Sequence, residues 1–403
     1  MKKGWLETTL GDIGNVAMCK RIFKEETTAT GDIPFYKIGT FGRKADAYIS
    51  SYTYNEYRAK YPFPKRGDVL ISASGTIGRR VRYDGEPAYF QDSNIVWIDN
   101  DEKKVLNDYL YHFYGACEWN STKGATISRL YNEDLRRIVI AFPESHQEQQ
   151  RIVGILDDAF DGLATATANA EHNLHNASAL FESHLQAVFT QRRKGWEEKS
   201  VGDLVADRLL APPIDGNHGE IHPKKADFVS SGVPFIMASD LEDGLVNQRD
   251  CAFISRKQAD SLRKGFAEDG DVLLSHKGTI GRVSILHTKH DYVMLTPQVT
   301  YYRVIAREKF LNRFLYYALQ STNFVQRMNE IAGAGSTRAY IGILKQLELP
   351  IAFPVLAEQE RLANQLDALA AETQRLESIY QQKLAALGEL KKSLLHQAFS
   401  GGL

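Results

Sequence analysis

The side chains in this sequence that could do chemistry are scattered along it, not gathered. The only Pro-Pro, in Ala211-Pro212-Pro213-Ile214, lacks the preceding Asp or Asn and the following aromatic that an adenine methyltransferase needs. No Gly-x4-Gly-Lys-Ser/Thr segment is present to cradle nucleotide phosphates, so an ATP-driven motor has no support. Ser72 and Ser74 lack the Gly-x-Ser-x-Gly setting of a hydrolase nucleophile. The pairs His172/His175, His218/His222 and His287/His290 have a spacing that a metal could use, but without paired Cys or clustered carboxylates they read as surface or interface side chains. Glu197-x-Lys199 is half of a nuclease motif and too short to carry weight. What remains is recognition without catalysis.

Cationic and amide side chains cluster around glycine-rich turns. Arg79, Arg80 and Arg82 follow Ser74-Gly75-Thr76-Ile77-Gly78, where small residues let backbone amides come close to phosphates. His276, Lys277, Thr279 and Arg282 take the same place later in the chain. Gln91 and Asn94, and then Gln298, stand at the start of a strand after a loop, where polar side chains can reach base edges. Lys37, Thr40, Arg43, Lys44, Lys123 and Arg129 flank turns in the first half; Ser239, Arg338 and Tyr340 are comparable in the second. Together these residues form an expected DNA-facing set.

A chain of 403 residues with 43% hydrophobic content can bury more than one core. Its 49 basic and 50 acidic residues give a net charge of -1, so any DNA site must arise from local segregation of charge. Cys19, Cys117 and Cys251 lie far apart and suggest neither a disulfide framework nor a paired-Cys metal site. With no apolar run near the roughly 20 residues that span a bilayer, and no signal region after Met1, a soluble, cytoplasmic protein is expected.

The sequence is written twice. Gly4-Trp5 through Gly11-Asp12 recurs as Gly195-Trp196 through Gly202-Asp203, and Ile33-Pro34-Phe35 recurs as Val233-Pro234-Phe235. Gly67-Asp68-Val69-Leu70-Ile71-Ser72 with Gly75-Thr76-Ile77-Gly78-Arg79 returns as Gly270-Asp271-Val272-Leu273-Leu274-Ser275 with Gly278-Thr279-Ile280-Gly281-Arg282. Ala141-Phe142-Pro143 with Glu148-Gln149-Gln150-Arg151 returns as Ala352-Phe353-Pro354 with Glu358-Gln359-Glu360-Arg361. Two similar heads on one chain suit a DNA target with two half-sites.

These residues need elements to hold them. Asp68 to Ser72, Asn94 to Ile98 and Ile138 to Phe142 read as strands; Asn107 to Trp119 and Asn312 to Phe324 read as short amphipathic helices. After each Pro a helical period runs for roughly 40 residues, or about 60 Å. One stripe is Ile152, Leu156, Ala159, Leu163, Ala166, Ala170, Leu174, Ala177, Leu180 and His184; the other is Leu362, Leu366, Leu369, Thr373, Leu376, Tyr380, Leu387, Leu390 and Leu394. Steps of three and four make a coiled-coil seam, either between the two helices, antiparallel, or against partner subunits. The expected organisation is α+β: a head over 1–144, a long helix over 145–191, a second head over 192–355 and a second long helix over 356–403.

The ordered, duplicated set of Gly-Asp-Val-Leu, Gly-Thr-Ile-Gly, Pro and Glu-Gln-x-Arg resembles the specificity subunit of type I restriction-modification systems, over essentially the whole chain. The resemblance implies a non-catalytic subunit with two target recognition domains, each reading half of a bipartite sequence in double-stranded DNA, and helices that act as a ruler. It also implies two methyltransferase subunits docked on the helical region, for which Glu148, Gln149, Arg151, Glu358, Gln359 and Arg361 are the candidate contacts, with motor-nuclease subunits joining them. No cofactor is expected on this chain; S-adenosylmethionine, ATP and Mg belong to the partners. The chain departs from the family pattern in having a single Pro143 or Pro354 where a double proline is usual, and Ala125-Thr126-Ile127 and Ser336-Thr337-Arg338 in the loops before the last strands. Tyr48 to Tyr61 differs most from its counterpart, Gln248 to Leu262, so the two halves are expected to read different sequences. The competing readings are a self-contained methyltransferase or endonuclease and a coiled-coil scaffold.

Overall fold

The strand runs of the sequence are apolar without alternation, and the computed structural model explains why. It describes residues 3–117, 119, 129–191, 195–218, 221–242, 244–332 and 340–403. In Val69–Ser72 every residue is buried. Val69 and Ile71 enter one core with Val96, Ile98 and Tyr109, whereas Leu70 enters another with Trp97, Phe35 and Tyr89. Alternate side chains of a strand point to opposite faces, so a strand covered on both sides must be apolar throughout.

Contacts divide the chain into two compact units, Met1–His172 with Tyr380–Leu403, and Asn173–Ile379. Each long helix therefore contributes to both units. In the first unit, Gly14–Ala17, Ile95–Asn100, Val69–Ser72 and Arg80–Arg82 form a four-stranded antiparallel sheet in that order. A three-stranded sheet holds Ile33–Tyr36 between Tyr48–Ile49, antiparallel, and Tyr89–Phe90, parallel. Trp5–Thr9 pairs antiparallel with Val139–Pro143 and brings the two ends of the head together.

The second unit repeats this plan. Ile214–Asp215, Val299–Tyr302, Val272–Ser275 and Val283–Ile285 form the four-stranded sheet. Glu197–Ser200 pairs with Pro350–Phe353 as the closing ribbon. Its other sheet has five strands, because Phe228–Val229 and Phe266–Ala267 add an edge on each side. The expected helix Asn312 to Phe324 is two helices, Asn312–Ala318 and Thr322–Ala332. Ser321 stops the first by donating to Ala318 O at 2.7 Å, and Gln186 Oε1 of the long helix accepts from Thr322 N at 2.7 Å.

The long helices run His146–Thr190 and Leu356–Ser400, 45 residues each. At about 1.5 Å per residue, each is about 67 Å long. In the first unit Ile152 and Leu156, near the start of one, share a core with Leu394, Ala398 and Phe399, near the end of the other. In the second unit Leu185 and Phe189 share a core with Leu362 and Leu366, so the pair is antiparallel in both. Part of the expected seam is wrong: Leu180 is 59% exposed and His184 is exposed, while Phe181, Leu185 and Phe189 lie inward. Two successive steps of three fall about 120° short of full turns, so after Ala177 the seam must step by four to Phe181. Leu390 of the other stripe, at 49% exposed, also lies off the seam.

Each long helix is fastened to its head by one glutamine. Gln149 Oε1 accepts from Leu106 N at 2.9 Å, and its Nε2 donates to Lys104 O at 2.8 Å and Pro143 O at 2.9 Å. Gln359 makes the same three bonds to Leu311 N (2.9 Å), Lys309 O (3.1 Å) and Pro354 O (2.8 Å). Both side chains are fully buried. Gln149→Ala would strand these groups and is expected to cost about 2–4 kcal/mol, read as a lower urea midpoint for the full chain. Gln149→Glu should also destabilise, since it loses both donations.

Candidate nucleic-acid interface

The glycine turn leaves the buried central strand at a serine, and the serine shapes it. In head one, Ser72 N donates to Arg79 O (2.8 Å), Gly78 N to Ser72 O (3.0 Å) and Arg79 N to Ser72 Oγ (2.9 Å). In head two, Ser275 N donates to Arg282 O, Gly281 N to Ser275 O and Arg282 N to Ser275 Oγ, all at 2.9 Å. Gly75, Gly78, Gly278 and Gly281 all have positive φ. A side chain at Gly78 would also collide with the Trp119 indole. In the sequence Ser72 stands as a rejected nucleophile and Ser275 only as a member of the repeat; nothing in their spacing marks them as holders of the turn.

Two further segments join the turn in each head. Leu130 N donates to Ala73 O and Ala73 N to Asn94 O; Ile341 N donates to His276 O and His276 N to Gln298 O. These bonds bring Thr76 and Arg129 to one surface of head one, and Lys277, Thr279, Gln298 and Tyr340 to one surface of head two, all exposed. Lys277 Nζ lies 5.9 Å from the Tyr340 ring centre. Exposed Arg43 and Lys44 reach the turn of head one through Phe41, whose carbonyl accepts from Arg79 Nη1 at 3.0 Å. Exposed Ser239 takes the corresponding place, with Arg282 Nη1 3.4 to 3.5 Å from the carbonyls of Ala238, Ser239 and Leu241.

Several expected DNA-facing residues are occupied within the fold. Arg80 and Arg82 stack on Tyr111, 4.6 and 3.9 Å from its ring centre, and Arg82 ion-pairs with Asp108 at 2.9 Å. A side chain at Gly115 would strike the Arg80 guanidinium. These arginines clamp the helix Asn107–Ala116. Gln91 accepts from Ile38 N at 2.9 Å, and buried Ser74 donates to Asn94 Oδ1 at 2.8 Å. Thr40 Oγ1 accepts from Lys37 N at 3.1 Å, while Lys37 pairs with Asp46 at 2.8 Å on the surface. Lys123 and Arg338 lie outside the described residues, as do Ala125-Thr126-Ile127 and Ser336-Thr337.

His276 also turns inward. It is fully buried, with Nδ1 2.7 Å from Thr300 Oγ1, which accepts from Gln346 Nε2 at 3.2 Å. Asp215, Thr300 and His276 hold the positions of Met18, Val96 and Ala73, so a polar cluster in head two replaces an apolar one. Burial would raise the Asp215 carboxyl, but hydrogen bonds from His218 (2.6 Å) and Lys264 bring it below its usual range. Burial pushes the His276 imidazole down to about 4.

Of the candidate partner contacts, Gln149 and Gln359 are corrected by their burial, which leaves no amide for another chain. Glu148 and Arg151 form a two-point ion pair at 2.8 Å, and Glu358 and Arg361 another at 2.6 and 2.7 Å. Both arginines stand on exposed helix surface. Among the described residues no group of three His, Cys, Asp or Glu is placed to hold a metal, and no helix is long and apolar enough to cross a membrane.

A duplicated head and rod, with a conserved turn geometry and different side chains at each tip, defines a two-site recognition protein. The model of the type I restriction-modification DNA specificity domain matches residues 2–173 and again 193–385, and the chain belongs to that family. The class is a sequence-reading subunit, not a catalytic one. The chain is 64% identical over 148 residues to the Haemophilus influenzae type I restriction enzyme specificity subunit S.HindORF215P; that match spans 37% of this chain and only 38% of the relative. It is 21% identical over 369 residues to the EcoBI specificity subunit of Escherichia coli, covering 83% of this chain and 73% of that one. A chain from a structure concerning complex assembly and conformational transition of the type I R-M system shares the fold at TM-score 0.75 and 17% identity, over 100% of this chain and 99% of that one. The HsdS subunit from Thermoanaerobacter tengcongensis shares it at TM-score 0.56 and 17% identity, over 100% and 98%.

Two outcomes separate the roles of these residues. Lys44→Ala should reduce the salt slope of DNA binding by about 1, whereas Arg80→Ala should lower stability and leave the slope unchanged. Because the folded His276 pKa is depressed, stability is complete above the unfolded value of 6.5 and falls as pH drops towards 4. The difference in unfolding free energy between this chain and His276→Gln should therefore narrow by roughly 3 kcal/mol from pH 7 to pH 4.

Proposed function

We propose that this chain reads an asymmetric bipartite sequence in double-stranded DNA, one half with each head, and positions two methyltransferase subunits that perform the chemistry. One observation carries the reading: three hydrogen bonds that Ser72 makes across its turn recur at Ser275, while the side chains beside the turns differ, Arg129 opposite buried Ser74 in head one against Tyr340 opposite exposed Lys277 in head two. Keeping a framework while changing its contact residues is how one fold serves two targets. Backbone contacts position such a protein, and side chains at base edges specify. The segments 1–144 and 192–355 act as the readers, and 145–191 and 356–403 act as spacer and docking surface.

Charge supports this role for the first long helix. The first long helix carries Glu148, Asp157, Asp158, Asp161, Glu171 and Glu182 against Arg151 alone, on a chain whose total is -1. Such a surface repels phosphate and suits a protein partner. The Glu148–Arg151 and Glu358–Arg361 pairs sit at equivalent places on the two helices, as two copies of one docking protein would require. Motor-nuclease subunits complete the assembly, and S-adenosylmethionine, ATP and Mg are held by the partners.

The test is a methyl-transfer assay with labelled donor and target-bearing DNA. The chain alone should label nothing, the methyltransferase alone should label little, and the two together should label the target. Labelling by the chain alone would overturn the proposal. So would failure of the pair to be retained on DNA.

A further inference from the structure

Head one holds a cavity of about 230 Å³ that the function just described does not use. It is lined by Tyr36, Phe41, Tyr83 and Phe90, with Arg43 and Glu86 among its polar wall residues. The rings form two walls. Tyr36 and Phe90 are stacked, with centres 5.8 Å apart and planes 18° from parallel; Tyr83 meets Phe90 edge-on at 5.7 Å and 87°. Tyr83 OH is committed to Glu86 O at 2.7 Å. The Tyr36 hydroxyl, the Arg43 guanidinium and the Glu86 carboxylate have no side-chain partner among the described residues.

The other head shows that these aromatics are not needed to build the fold. At the same places in the sheet and loop stand Ile236, Leu241, Leu286 and Leu295, aliphatic and about as buried as Phe41, Tyr83 and Phe90, so the heads differ in the rings themselves, in the half-buried Tyr36 and in the space beside it. The same architecture closes with aliphatic side chains in head two and is lined by rings around a cavity in head one.

We infer that this cavity takes one planar nucleobase-type heterocycle. A base offers a π face that stacks on any aromatic wall. Its edge carries donors and acceptors together, which matches a guanidinium and a hydroxyl on one hand and a carboxylate on the other. The heterocycle has two sources: a base turned out of the bound duplex, or a free nucleoside. The first rests on the DNA-reading role proposed above, because the pocket opens beside the Arg43–Lys44 loop; the second does not.

The probes are adenosine, guanosine, cytidine and thymidine, titrated calorimetrically into the full chain, beside a plain duplex and the same duplex with a single-base bulge. At least one nucleoside should bind. The Tyr36→Ile/Phe90→Leu variant carries head two's own residues and should lose about tenfold or more in that affinity. Arg43→Ala leaves the packing untouched and should also weaken it. A bulged duplex that binds more tightly than the plain one, with the gain erased in either variant, assigns the source to DNA; equal duplex affinities with nucleoside binding retained assign it to free nucleosides. Retention of the plain duplex without nucleoside binding or any gain from the bulge would overturn this inference and leave DNA reading intact. Nucleoside binding unchanged in both variants would overturn it as well. Nucleoside binding by a chain that holds no duplex would keep the pocket and remove the DNA role.

Discussion

A strand buried on both faces cannot slip. If Val69–Ser72 moved by one residue, Leu70 would leave the core of Trp97 and Phe35, and Val69 and Ile71 would leave that of Tyr109 and Val96. The same holds for Val272–Ser275, whose Leu273 faces one core and whose Val272 and Leu274 face the other. Since the register is fixed, the strand's last residue is fixed, and that residue is the serine that shapes the glycine turn. The glycine turn of each head is thus anchored in a strand buried along its whole length.

The same logic extends outward. In its first turn each long helix carries a glutamine whose three bonds tie it to the end of the closing ribbon and to the loop before the short helix. That short helix is tied back to the long one by an aspartate, His112 to Asp157 at 2.8 Å in one head and Tyr317 to Asp367 at 2.7 Å in the other. Tip, sheet, short helix and rod are linked through buried or half-buried polar contacts, which demand specific geometry in a way that apolar contacts do not. A head built like this can vary its tip without loosening its grip on the rod.

What the sequence made legible follows from this arrangement. Repetition exposed the two heads, because a duplicated fold keeps its glycines, its central strand and its Glu-Gln-x-Arg. Period exposed the long helices, and failed where the step of three to Leu180 had to be a step of four to Phe181, and again at Leu390. Roles were harder to read. Arg80 and Arg82 look like a DNA-facing cluster, but what decides is Tyr111, roughly thirty positions along the chain and met only through folding. Gln149 looks like a surface residue of a helix mouth; its burial depends on the carbonyls of Lys104 and Pro143, and no local pattern signals that. Ala73 against His276 follows from the repeat, but Met18 and Val96 against Asp215 and Thr300 became a comparison only when the sheet registers aligned them.

Two unlike heads on one chain, as proposed above, read two unlike half-sites. Mapping methylated adenines across the host genome, with the gene for this chain present and then deleted, tests it most directly. The expected pattern is a motif of two different specified blocks separated by a fixed unspecified gap, lost on deletion. A single continuous motif, two identical inverted blocks, or a methylation pattern unchanged by the deletion would contradict it.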